Sequence, residues 1–185
     1  MPLTSNVTTN VKLGVCKVTF GGDNLGFTKG GVEVQVETES HVVSVDQTGS
    51  TPISEYITGR TVTIKVPMAE TSRDHLVAIM PGATKITDAT TPIGDGIYAE
   101  VKTGVGTDLR TIAKVLRLHP ISLVDTDHTE DFIVPLAQTT GALNFAYKLD
   151  EERIFNVEFK AYADNNGKLF YYGNVDINDT TGVIN

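Results

Sequence analysis

In Gly31-Val32-Glu33-Val34-Gln35-Val36-Glu37, apolar and polar residues alternate strictly. A period of two puts successive side chains on opposite sides of an extended chain, so the valines face a core and the acids face away. The same alternation recurs in Thr61-Val62-Thr63-Ile64-Lys65-Val66 and in Phe155-Asn156-Val157-Glu158-Phe159-Lys160. Three such segments far apart in one chain predict a half-buried antiparallel sheet.

Composition agrees. Val, Ile and Thr make up 59 of the 185 residues, and β-branched side chains fit a pleated surface better than a helix. Turn chemistry separates the apolar runs. Gly21-Gly22-Asp23-Asn24 closes a hairpin after Phe20, and Asp164-Asn165-Asn166-Gly167 closes another before Leu169. Asn-Gly favours hairpins because both residues tolerate positive φ. Strands are expected near 11–20, 31–38, 41–46, 60–67, 111–118, 141–148, 153–163 and 168–175. Seven or more strands joined by hairpins predict a mainly β fold, an antiparallel β-sandwich or barrel.

One helix is expected after Thr71, which is placed to cap it, with Asp74 three residues on in a box-like position. Leu76, Val77, Ile79 and Met80 form one apolar stripe, and Pro81-Gly82 ends it. Residues 47–58 and 82–107 read as long loops, and residues 1–10 as a polar N-terminal arm ahead of a single domain over 11–185. Each of these stretches fits a surface loop or an arm that orders against a neighbouring subunit.

The net charge is −8, which argues against clamping nucleic acid, since such sites need clustered Lys and Arg. The N-terminal residues lack the apolar core of a secretory signal, and no run approaches the roughly 18 apolar residues of a membrane span. A cytoplasmic product that goes into something larger is expected. Cys16 is the single cysteine, expected as a small buried hydrophobe. Sequons at Asn6 and Asn178 carry little weight without a secretory signal.

The templates for chemistry fail. There is no Gly-x-Ser-x-Gly and no phosphate-binding Gly-x-x-x-x-Gly-Lys. Gly94, Gly96 and Ala99 match a relaxed dinucleotide motif without the flanking strand and helix it needs. Asp125, Asp127, His128, Glu130 and Asp131 crowd seven residues, yet an EF-hand counted from Asp125 needs Gly at 130 and Glu at 136, where the chain has Glu130 and Leu136. His41, His75, His119 and His128 are scattered, with no i, i+4 pair for zinc. Tyr147, Tyr162, Tyr171 and Tyr172 lack the basic groove of a base-stacking platform. No catalytic residue, cofactor or metal is expected, and a structural or interaction protein is favoured over an enzyme.

The order of motifs in the N-terminal third carries a resemblance. Leu25-Gly26-Phe27-Thr28-Lys29-Gly30-Gly31-Val32-Glu33 is followed by Val45-Asp46-Gln47-Thr48-Gly49-Ser50-Thr51-Pro52, then by Gly59-Arg60-Thr61-Val62-Thr63-Ile64-Lys65-Val66-Pro67-Met68-Ala69-Glu70. This order, over roughly 13–82, resembles the major tail tube proteins of long-tailed, siphophage-type bacteriophages. Gly26, Gly30, Gly31, Asp46, Gly49 and Pro52 are its turn residues. The resemblance implies a β-sandwich or split barrel with one flanking α-helix. It implies six-copy rings that stack into a hollow tube in the virion tail. The partners implied are further copies of the chain, a tape-measure protein, tail terminator and tail-tip proteins, and double-stranded DNA in transit without specific binding. Within that frame Glu33, Gln35, Glu37 and Glu39 are the candidate channel-lining set, with the outer face of the tube as the other placement. A different β-rich virion module, such as a tail-tip, decoration or carbohydrate-binding domain, is the alternative function. The absence of Trp removes the commonest sugar-stacking residue.

Overall fold

The computed structural model describes residues 14–87 and 97–178. The elements are β1 (Cys16–Phe20), β2 (Asp23–Asn24), β3 (Glu33–Val43), β4 (Ser54–Met68), α1 (Arg73–Ile79), β5 (Ala83–Thr87), β6 (Ile97–Val101), β7 (Lys114–Pro120), β8 (Phe132–Thr139), β9 (Phe155–Ala161) and β10 (Tyr171–Tyr172). Seven strands lie in the order β2-β1-β7-β8-β9-β4-β3, all neighbours antiparallel, and β10 adds to the free part of β8. β5 and β6 form a separate hairpin. The fold is mainly β with one flanking helix, and among the described residues no sheet closes into a barrel.

The three alternating segments decide the core. Val62, Ile64 and Val66 of β4 and Phe155, Val157 and Phe159 of β9 are buried, together with Val18 and Phe20 of β1 and Leu116 and Leu118 of β7. The rings of Phe20 and Phe159 lie 4.9 Å apart. Three strand spacings separate β1 from β9, about 14 Å on a flat sheet. The sheet is therefore curved, folding its apolar face inward. Leu76 and Ile79 of α1 pack on the same cluster. Val115, Ile133 and Ile177, with Tyr171 and Val175, form a smaller cluster.

Turns behave as their residues dictate. Phe20 pairs with Asp23, so Gly21-Gly22 is a two-residue turn with φ of 61° and 88° at its two glycines. At the second hairpin, Asp164 Oδ1 accepts from the backbone N–H of Asn166 (2.8 Å) and Lys168 (2.8 Å). The Lys168 N–H, then that of Asn166, holds the Asp164 carboxyl below the ordinary carboxylate range. A depressed value means stability that is present above the unfolded-state pKa near 4 and lost as pH falls through the lower folded value. Asp164→Ala is expected to cost about 1 kcal/mol at pH 7 and less at pH 3. Urea midpoints at the two pH values check this. An equal gap at both would refute the carboxylate's role.

Several expected boundaries differ. Residues 31–38 and 41–46 are largely one strand, β3, with a register shift between Glu39 and Ser40. The loop expected over 47–58 is shorter, because a 3-10 turn occupies Asp46–Thr48 and β4 starts at Ser54. Inside 82–107 lies the β5–β6 hairpin, with residues 88–96 outside the described part. The arm over 1–10 and residues 11–13 also lie outside it. No strand forms over 141–148, where Asn144 makes one bridge to Asn156 and Phe145 turns onto Phe155 at 5.0 Å. The expected strand over 168–175 shrinks to β10.

The helix cap moves by one residue. Ser72, not Thr71, accepts from the backbone N–H of His75 at 3.1 Å. Thr71 Oγ1 instead accepts from Arg153 Nε at 3.1 Å, and Asp74 pairs with Lys85 of β5 at 2.6 Å. The hydrogen bond from Lys85 holds the Asp74 carboxyl below its usual range. Asp74 therefore ties α1 to the β5–β6 hairpin rather than closing a capping box.

Candidate functional site

Two features stand out, a long β ribbon at one edge of the sheet and a buried polar cluster between β7 and β8. The ribbon is β3 with β4. Glu33 pairs with Lys65, Gln35 with Thr63, Glu37 with Thr61 and Glu39 with Gly59. Alternation puts all eight on one face. On β9, Glu158 stands opposite Lys65 and Lys160 opposite Thr63. Lys65 Nζ reaches Glu33 at 3.1 Å, and Gln35 Nε2 donates to Glu37 Oε1 at 2.8 Å. The four acids of this face outnumber its two lysines, so it is net negative. Glu33, Gln35, Glu37 and Glu39 are all exposed.

The opposite face of the ribbon begins in the core at Ile64 and Val62, opposite Val34 and Val36. It then runs out past the cover. Val34 and Val36 are already over a third exposed, and at the far end Ile57, paired with Ser40 on this face, is 63% exposed, as is Tyr56, which pairs with His41 on the acidic face. Val42 and Ile53 are exposed as well. Among the described residues β3 is the last strand of the sheet and pairs only with β4. Eleven residues thus present an open edge, the kind of surface that pairs with another chain.

The turn residues of the N-terminal motifs lie around the base and tip of this ribbon. Gly26, at φ 78°, sits under the Glu70 side chain, and a Cβ there would run into its carboxylate. Gly30 and Gly31, at φ 98° and 88°, lead into β3. The chain just before them bridges Thr28 to Met68 and donates from Lys29 N–H to the Pro67 carbonyl. Asp46 opens the 3-10 turn at the tip, and its carbonyl accepts from Gly49 N–H at 3.3 Å. Pro52 is exposed beside it.

The polar cluster is built by ladder register. Leu118 of β7 pairs with Phe132 of β8, so His119 falls beside Asp131. Asp131 is fully buried and accepts from His119 Nδ1 at 2.6 Å, His128 Nδ1 at 2.8 Å and Arg117 at 3.1 Å. To an ionised carboxylate, which only accepts, both rings donate through Nδ1–H. His119 is 5% exposed, and its Nε2 is buried without a partner among the described residues. His128 is half-buried, and its ring meets that of His119 edge-on at 5.8 Å. One ligand atom from each of His119, His128 and Asp131 lies within 4.8 Å of the others.

The acidic crowd of the sequence separates here. Asp127 accepts from the N–H and hydroxyl of Thr129, and those bonds, the hydroxyl's first, hold its carboxyl below the usual range. Asp125 lies 3.6 Å from Lys17. Only Asp131 turns inward. Cys16 lies at the start of β1, half-buried against the core, where burial pushes its thiol pKa up. No family model matches the chain, and no curated protein matches it either.

Proposed function

We propose that the chain is a tail tube subunit, a split β-sandwich that joins five further copies in a ring, with rings stacking into a hollow tube for passage of double-stranded DNA. The observation that carries this reading is β3, an eleven-residue strand exposed along most of its length at what is, among the described residues, an open sheet edge. In a monomer such an edge is an aggregation hazard, whereas cyclic closure pairs every edge. The order of the N-terminal motifs, which resembles the siphophage tube proteins, points the same way.

On this reading the subunit is made in the host cytoplasm and ends in the virion tail. It meets a tape-measure protein, the terminator and tail-tip proteins, and it needs no cofactor and performs no reaction. The net-negative face carrying Glu33, Gln35, Glu37 and Glu39 lines the channel. Its charge repels phosphates over about one Debye length, ~8 Å at physiological salt, so DNA slides without sticking. The β5–β6 hairpin contacts the next ring.

Negative-stain electron microscopy of the purified chain over a concentration series tests this. Rings or tubes with sixfold symmetry are the expected result. A monomer or trimer at every concentration, also with a tape-measure partner added, would overturn it, and a trimer would favour a tail-tip or decoration module.

A further inference from the structure

We propose that His119, His128 and Asp131 form a binding site for one divalent ion of the zinc class, which staples the β7–β8 connection to the sheet. The inference is independent of the tube reading. Two imidazoles and one carboxylate are the donor set that such ions favour, and their ligand atoms already lie within 4.8 Å of one another. An ion about 2.0–2.2 Å from each donor displaces the two Nδ1 protons and moves the ligands apart from their present hydrogen-bond contact, which the half-exposed His128 can accommodate.

A second observation points the same way. The ring of His119 is buried, yet only one of its nitrogens is bonded within the described chain. Hydrogen bonding alone leaves this imidazole half-served, and an unserved buried nitrogen is costly. Since Nδ1 is the nitrogen that faces Asp131, an ion taken there replaces this ring's single hydrogen bond with a coordinate bond, which offsets its burial better. The cluster also opens to solvent. A cavity of about 220 Å³ is lined by His119, His128, Arg117, Thr19, Lys17 and Asp125, and it provides a route in and room for a water as fourth ligand. Arg117, already on Asp131, and Lys17 oppose a cation, so moderate affinity is expected rather than the extreme affinity of a four-cysteine site.

The ion's role follows from where its ligands sit. His119 ends β7, while His128 and Asp131 lie on the segment that returns to β8. Binding couples to local order, because the ligands come together only when that connection is folded.

The test is titration of the untagged, EDTA-treated full chain with Zn2+ and Co2+ at pH 7.5, read by calorimetry, Co2+ visible absorption and thermal melting. One equivalent is expected to bind, to raise the melting temperature, and to be reversed by EDTA. His128→Ala, at a half-exposed position that leaves the core untouched, is expected to weaken binding at least tenfold. His41→Ala and His75→Ala are expected to bind as the parent does. Absence of stoichiometric binding would overturn the proposal, and so would unchanged affinity in His128→Ala.

Discussion

Asp131→Ala is expected to destabilise the chain by about 3–5 kcal/mol, the range for removing one partner from a buried charged group. Three donors converge on this carboxylate, which is fully buried. Its loss takes from Arg117, whose side chain is 12% exposed, the buried carboxylate with which it pairs. It also leaves the Nδ1–H of His119 without an acceptor in a ring whose other nitrogen is already unserved. For a chain of this length the melting temperature falls by roughly 6–20 °C. Asp131→Asn keeps the volume and one acceptor oxygen, so a smaller loss is expected. A loss under about 1 kcal/mol for Asp131→Ala would mean that water reaches the cluster and serves its donors.

The same cluster marks the boundary of what the sequence reveals. Strict alternation made β3, β4 and β9 legible, because a half-buried strand writes its two faces directly into the order of residues. β8 left no such mark. Phe132-Ile133-Val134-Pro135-Leu136-Ala137 is continuously apolar because the strand is buried on both faces, and it contains a proline. The ladder accommodates that proline with a register shift, since Leu116 pairs with Val134 while Lys114 pairs with Ala137. Proline has no N–H to give, and the irregularity takes it out of the regular pairing. With β8 unseen, nothing in the sequence could place His119 beside Asp131, twelve residues away. The pairing is a property of the β7–β8 register alone.

The loops failed for a different reason. Glycine and proline in 47–58 and 82–107 mark turns, but not how short a turn is. A ribbon fifteen residues long on one strand was hidden because its outer half is exposed on both faces, so it shows no core-facing alternation. Residues Ser54–Ile57 hold their strand conformation through pairing with Ser40–Val43 and not through burial. The helix cap shifted because Thr71 and Ser72 offer equivalent hydroxyls, and the tertiary bond from Arg153 claims the first.

That exposed outer half is where assembly and stability separate. Replacing Tyr56 and Ile57 by Ser is expected to leave the isolated subunit within about 1 kcal/mol of the parent, since both side chains are already mostly in water. In a ring that covers both faces of the ribbon tip, beyond the acidic stretch that lines the channel, each contributes about 1.5–3 kcal/mol on transfer from water. Losing both weakens a protomer–protomer contact by about 3–6 kcal/mol, or roughly 10²–10⁴-fold in its equilibrium constant. The effect is compounded at every contact of a closed ring, so tubes are expected to vanish at concentrations where the parent assembles fully. Urea denaturation measures the first quantity, and sedimentation with electron microscopy measures the second. Tubes forming at the parent's concentration would remove the ribbon tip from the interface. Loss of both stability and tubes would mean that the tip already packs on its own subunit. Only unchanged stability with lost assembly fits a strand edge whose partner is another copy of the chain.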